Sequence, residues 1–350
     1  HERLVGSEMC IRDSIHVEQT GKLNMETTSG IGFFGTISNK LDENTLGSAG
    51  MAVVKNIHLE QVSVTNRSTE VDADIKSLVD GVLKLLDGIL GGILGFLDQI
   101  LLPGDLRLDK VIHDLLTLKK DSPDLFATGS FAGRIVGHVR IENCTVDQAS
   151  VSSAKGISGG FVGFTEGMET YDGLSGILGT VVKILSTLLN IVPGVGLGDL
   201  ITVLLQNDVP LGNLIPTGYH KPIITNCSVA LNNGAIGNTA EDYNGGFVGI
   251  QTGTEIKNSV VSDLGAVQAK AGAGGFAGLE RDAIIKGALQ NLGVDLFCPD
   301  VKSLQESCSV TGSNIGIKAN SYAGGFNGAM ANSVSLNSSV SNLKLSLIHL

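Results

Sequence analysis

Ala273-Gly274-Gly275-Phe276-Ala277-Gly278 decides the fold, because the chain keeps returning to it. The Gly-x-Phe-x-Gly core recurs as Gly159-Gly160-Phe161-Val162-Gly163, Gly245-Gly246-Phe247-Val248-Gly249 and Gly324-Gly325-Phe326-Asn327-Gly328. Looser copies are Gly129-Ser130-Phe131-Ala132-Gly133 and Gly32-Phe33-Phe34-Gly35, whose ring-bearing residue is read as Phe34. A motif repeated at this density marks a repeat architecture, in which each unit buries its apolar face only against its neighbours.

A second motif travels with the first. Ile141-Glu142-Asn143-Cys144-Thr145-Val146 returns as Ile224-Thr225-Asn226-Cys227-Ser228-Val229 and Ile256-Lys257-Asn258-Ser259-Val260-Val261. Weaker copies are Gln305-Glu306-Ser307-Cys308-Ser309-Val310 and Met330-Ala331-Asn332-Ser333-Val334-Ser335. Asn56 to Val64 alternates apolar and polar residues in the same way, as a half-buried strand does. Aligned, these segments give a column of small residues: Val62, Cys144, Cys227, Ser259, Cys308 and Ser333.

Phe131 and Phe161 stand 30 residues apart, and Phe247 and Phe276 stand 29 apart. A unit of that length holds three short strands with Gly, Asn and Ser at the corners. Stacked about 4.8 Å apart, such units pair every backbone group with the coil above and below. The glycine pairs, Gly160, Gly246, Gly275 and Gly325 among them, permit close approach of the next coil. The expected fold is mainly β: a right-handed parallel β-solenoid of about 5–6 coils with α-helical insertions.

The insertions fall at about 72–127, 166–219 and 281–303, where the period changes. Asp80, Lys84, Asp87 and Asp98 are spaced as on one helix face among Leu, Ile and Val, and Pro103-Gly104 stops the run. That helical run lies within 74–102, and residues 111–118, 176–191, 199–205 and 283–292 read as further helices. Their uncharged runs fall short of the roughly 18–20 residues a membrane span needs. They are expected to pack on the flank of the coil, leaving membrane contact as the lesser reading.

The ends read differently. Residues 3–14 match one translation of a transposase-end sequencing adapter, and Leu345-Ser346-Leu347-Ile348-His349 matches its reverse strand. Residues 1–14 and 345–350 are therefore expected to be adapter-derived, around a single solenoid at 15–344 cut from a longer metagenomic reading frame.

Composition narrows the function classes. The 350 residues include 47 Gly and no Trp, carry a net charge of -11 and have a mean hydropathy of +0.24. An acidic chain without a basic cluster is a poor nucleic-acid binder. Cys144, Cys227 and Cys308 share a repeat position and read as small buried residues. Cys298 lies close enough in sequence to pair with Cys308, but the unbridged state is the expectation, and no cysteine or histidine group has zinc spacing.

Catalytic and cofactor patterns are sparse. Gly272 to Ala277 matches G-x-G-x-x-A with Asp295 beyond it, yet the repeat explains those glycines without a dinucleotide. Gly194 to Gly198 lacks the Lys-Ser/Thr of a phosphate loop. Arg140, Glu142 and Lys257 read as solvated strand charges, and Glu241-Asp242 lacks a calcium-loop pattern. His16, His58, His113, His138 and His220 are scattered. No catalytic, cofactor or metal residue is assigned.

Gly-Gly-Phe-x-Gly alternating with Ile-x-Asn-Cys-Ser/Thr-Val resembles the GLUG-type repeats of bacterial surface proteins, especially large Gram-positive cell-wall proteins. The resemblance covers the β parts, about half of the chain. It implies export, extracellular display at a bacterial cell surface and a β-helical adhesin or stalk without catalysis, with a protein or glycan ligand. It also implies continuation into further repeats of the same parent chain. Two other classes stay open: a polysaccharide-active β-helix enzyme, and a membrane-interacting module built from the Leu/Gly-rich helices.

Overall fold

The structure, a computed structural model, describes residues 9–11, 14–20, 23–24, 29–39, 50–69, 71–72, 126–170, 218–284 and 300–347. Its long sheets are all built from parallel strands that return to the same wall once per coil. Coil two shows the plan. Phe126–Gly129 lies on the first wall, Ala132–Val136 on the second and Val139–Glu142 on the third, while Thr145–Asp147 and Ser150–Ser153 share the fourth. The first three walls are six-stranded sheets, which makes six coils, and the fourth is a 12-stranded sheet. A coil thus carries five strand positions on four walls, where the sequence implied three. The arrangement is a solenoid-like parallel β fold.

The short strands follow from the residues between them. Asn56, Asn143, Asn226, Asn258, Ser307 and Asn337 turn the chain from third wall to fourth with φ of 58°, 53°, 55°, 50°, 54° and 52°. Left-handed backbone is costly for most side chains, and Asn bears it best after Gly. Each corner is held by the next coil: Asn143 N donates to Thr225 O at 3.1 Å, and Asn226 N to Lys257 O at 3.0 Å. The side chains stack as well, Asn143 Nδ2 reaching Asn56 Oδ1 and Asn226 Nδ2 reaching Asn143 Oδ1, both at 3.2 Å.

This register corrects the column of small residues. Thr145 pairs with His58, so Ile57 and not Val62 stands beside Cys144. At the other end Ser309 pairs with Ser339, which puts Ser338 and not Ser333 beside Cys308. The column is Ile57, Cys144, Cys227, Ser259, Cys308, Ser338. Smallness is only half its logic, because each thiol or hydroxyl donates to the carbonyl two residues back. Cys144 reaches Glu142 O at 3.3 Å, Cys227 reaches Thr225 O at 3.3 Å and Cys308 reaches Glu306 O at 3.4 Å. Ser259 and Ser338 do the same at 3.0 Å and 3.1 Å. Cys and Ser interchange because both are small donors placed just after a left-handed corner.

The phenylalanines form a stack along the axis. Phe131–Phe161, Phe161–Phe247, Phe247–Phe276 and Phe276–Phe326 have ring centroids 4.5, 4.8, 4.8 and 5.0 Å apart and lie nearly parallel. In coil one the register pairs Phe34 with Ala132, so Phe33 holds the place equivalent to Phe131. The Phe34 ring nonetheless meets Phe131 edge-on at 5.3 Å, with Phe33 against Phe34 at 4.8 Å. The glycine before each ring is required where coils touch. A Cβ on Gly160 would overlap the Gly246 carbonyl oxygen, and one on Gly246 would overlap that of Gly275. Gly325, on the last coil, would meet only Val340 Cγ1 at 3.6 Å.

Excursions leave the coil at two corners. Residues 67–125 separate coils one and two at the fourth-to-first corner. The others leave between second and third walls: Ser38 to Ala52 in coil one, Glu166 to Ile223 in coil three and Arg281 to Leu304 in coil five. Coils two, four and six close that corner with two residues, Gly137-His138, Gly253-Thr254 and Asn332-Ser333. The coil-three and coil-five departures begin as antiparallel stems, Met168–Thr170 on Gly218–His220 and Ala283–Ile284 on Asp300–Val301. The helices expected at 74–102, 111–118, 176–191, 199–205 and 283–292 lie outside the described residues, apart from the strand Ala283–Ile284.

At the ends, Met9–Ile11 of the adapter-like stretch pairs with Ile57 to Leu59, and Ser339–Leu347 runs past Lys344. Pairing at a sheet edge is a property of backbone more than of side chains.

Candidate functional site

Four groups of polar side chains occupy places where the repeat puts apolar or small residues or a flat solvent face. The first is a ladder on the outer side of the third wall. Arg140 Nη1 meets Glu142 at 3.5 Å, Lys221 Nζ meets Glu255 at 3.3 Å, and Lys257 Nζ lies 3.4 Å from Glu255 and 3.6 Å from Glu306. The sequence marked Arg140, Glu142 and Lys257 separately; the parallel register brings Glu142 and Lys257 into one column with Thr225 between them. Partial exposure keeps such pairs near the 0–1 kcal/mol of surface ion pairs. Opposite charges neutralise one another along the wall.

The second group lies on the outer face of the fourth wall. His58 Nδ1 contacts Thr145 Oγ1, and its Nε2 lies 3.1 Å from Glu60 and 3.6 Å from Asp147. Sequence alone left His58 isolated, because both Thr145 and Asp147 come from the next coil. Above them the His58 column continues through Thr145, Ser228, Val260, Ser309 and Ser339, a row dominated by small hydroxyl side chains.

The third group is internal. Glu241 is 0% exposed and accepts hydrogen bonds from the Ser158 hydroxyl and from Asn238 Nδ2, the latter at 3.0 Å. Burial lifts its carboxyl from 4.5 to about 8, against the pull of Ser158. Beside it Asn244 Oδ1 accepts from Ser158 N at 2.7 Å, and Asn244 Nδ2 donates to Gln268 O at 2.6 Å. This tie of coils three, four and their corner is structural, since both carboxylate oxygens are occupied. The sequence showed Glu241 only as an acid beside Asp242, not as a buried one.

Glu280, Gln251 and Gln305 form a second internal cluster, also 0% exposed. Burial raises Glu280 to about 8 as well, partly offset by nearby polar groups. Its signal in the sequence is a polar residue at an apolar repeat position, visible only once the strands are aligned.

The remaining residues singled out by the sequence have structural places. Cys144, Cys227 and Cys308 are free, buried thiols; burial pushes Cys308 up to about 11, away from the reactive range. Cys298 lies outside the described residues, as do His113 and Asp295. His138 and His220 stack face to face at 4.1 Å where the coil-three stem passes coil two. Gly272–Gly274 is a first-wall strand, and Phe276 stacks between Phe247 and Phe326, as the repeat requires. Among the described residues no three His, Cys, Asp or Glu side chains are grouped to hold a metal ion, and no helix is long and apolar enough to cross a membrane. No protein-family model, no curated protein and no solved structure matches this chain.

Proposed function

We propose that this chain is a segment of an exported bacterial cell-surface repeat protein of the GLUG type, serving as a stalk or adhesin and not as a catalyst. The observation that carries the reading is the unbroken parallel ladder: six coils share one aromatic stack and one core, and their outer walls carry hydroxyl rows and self-paired charges. Such a body holds its shape over its length and displays what leaves its corners, which is what a spacer at a surface must do. The reading includes a right-handed coil, helical segments in the excursions, and further repeats of the parent chain stacked on coil six. In favour of that last point, Tyr322, Met330, Leu336 and Val340 of coil six are exposed at 53%, 49%, 46% and 39%, and among the described residues Phe326 has a neighbouring ring on one side only. The partner it meets is a surface protein or glycan.

A specific arrangement favours a second reading. His58 with Glu60 and Asp147, and Lys257 between Glu255 and Glu306, put acids and bases on outward walls, as a polysaccharide-active β-helix enzyme requires. One experiment separates the two. The chain is incubated with a panel of uronate-containing and neutral polysaccharides, and bound polymer and new reducing or unsaturated ends are measured together. Retention without new ends is the expected result. Release of ends that is abolished by Lys257→Ala or His58→Ala would replace the stalk reading by the enzyme reading. Flotation with liposomes tests the membrane alternative, for which the stalk reading expects the protein to stay at the bottom of the gradient.

A further inference from the structure

The two interior columns that line the second-to-third corner change character along the axis. On the second wall the column reads Ile37, Ile135, Thr165, Gln251, Glu280, Met330. On the third it reads Val54, Ile141, Ile224, Ile256, Gln305, Ser335. The second-wall column is polar in coils three to five and the third-wall column in coils five and six, while the fourth-wall interior stays apolar through Val229, Val261 and Val310.

The polar side chains there are linked. Gln305 Nε2 donates to Gln251 Oε1 at 2.8 Å, and Gln251 Nε2 donates to the carbonyls of Thr254 and Leu304 at 2.9 and 3.2 Å. Asn327 Nδ2 donates to Glu280 Oε2 and to Gln305 Oε1, each at 2.8 Å. Six buried side-chain oxygens have no hydrogen-bond partner among the described residues, and three of them lie together here: Glu280 Oε1, Asn327 Oδ1 and Ser333 Oγ. Asn327 is bonded to Glu280, and the Ser333 hydroxyl favours its ionised carboxylate. No salt bridge reaches Glu280 among the described residues. Leaving three such atoms without partners in a core costs more than apolar residues would, so the cluster has the form of a site for something that oxygens bind.

We propose that Glu280, Asn327 and Ser333 form an oxygen-lined site for a small hard monovalent cation, of which sodium is the probe. A carboxylate, an amide carbonyl and a hydroxyl are hard ligands. One negative charge among neutral oxygens balances one positive charge, whereas a divalent ion draws on several carboxylates. Asn327 and Ser333 belong to coil six and Glu280 to coil five, so a bound ion ties the two coils together. The inference does not depend on the stalk reading.

The test is thermal unfolding of the full chain in sodium chloride and in tetramethylammonium chloride at equal ionic strength, at pH 9. Of the titratable groups around Glu280, the Cys308 thiol on the fourth wall interacts with it from within, and Glu306 and Lys257 form their ion pair on the outer face. Sodium is expected to raise the Tm saturably in the wild type and in Glu241→Gln, and to have no such effect in Glu280→Gln. Ser333→Ala is expected to weaken sodium binding about tenfold, read from sodium NMR line broadening. That measurement on wild type and Ser333→Ala serves alone if Glu280→Gln does not fold. Identical Tm in the two salts with no line broadening would mean that water alone fills the site and would overturn the proposal. A sodium effect that survives Glu280→Gln would overturn it too.

Discussion

Gly246 and Gly325 occupy the same repeat position, yet only Gly246 has a coil above it whose carbonyl a methyl group would strike. Gly246→Ala is expected to lower stability by about 1–3 kcal/mol or more, as overpacking does, and Gly325→Ala by less than about 0.5 kcal/mol. Urea unfolding of the two variants checks the difference. Glu241 and Glu280 set the pH dependence. Their folded-state values of about 8 lie above the ordinary 4.5, so the folded chain keeps protons that the unfolded chain releases. Their contribution is fully present below about pH 4.5, declines as pH rises from there to 8 and is flat above. Stability is expected to fall across that window by on the order of a few kcal/mol per group. In Glu241→Gln with Glu280→Gln the slope should flatten, and Tm measured every half pH unit reads it.

Strands and columns show what was legible in the sequence. Gly-x-Phe-x-Gly announced the coil because its residues are tied to one place by contact, ring on ring and carbonyl against Cα. The Asn-Cys strand was legible in its central copies and misaligned at the ends. Ile57-His58-Leu59 and Val62-Ser63-Val64 are both apolar-polar-apolar runs, and the pattern alone does not say which of them aligns with Cys144-Thr145-Val146. Asn332-Ser333 likewise imitates Asn337-Ser338, although it turns the preceding corner. The donor role of Cys and Ser was invisible, since it requires knowing that Asn143 and its equivalents are left-handed. That role predicts that Cys227→Ser folds with a stability within about 1 kcal/mol of wild type, whereas Cys227→Val costs about 1–3 kcal/mol through the lost donor and added bulk. Chemical denaturation of the pair decides it. The polar interior escaped notice because Gln251, Glu280 and Gln305 are unremarkable until stacked on Ile135 and Ile256.

Along the continuous core each coil packs only against its neighbours, so stability builds up as a sum of coils and of the interfaces between them. Hydrogen exchange is expected to be slowest at Phe161, Phe247 and their flanking amides in coils three and four, and fastest in coil six, with a graded profile between. Phe247→Ala, between two rings, should cost about 3–5 kcal/mol, and Phe326→Ala, with one ring neighbour, about half of that. A flat exchange profile would instead mean that the coils open together.

The alternation of open and closed corners has an evolutionary corollary. A segment inherited by duplication can be gained or dropped in matched doublets, each bringing one decorated rung and one plain rung, with the spine left in phase. The plain rungs act as washers: they set successive decorated corners two rises apart, so each can diverge at its own pace while the scaffold beneath stays unchanged.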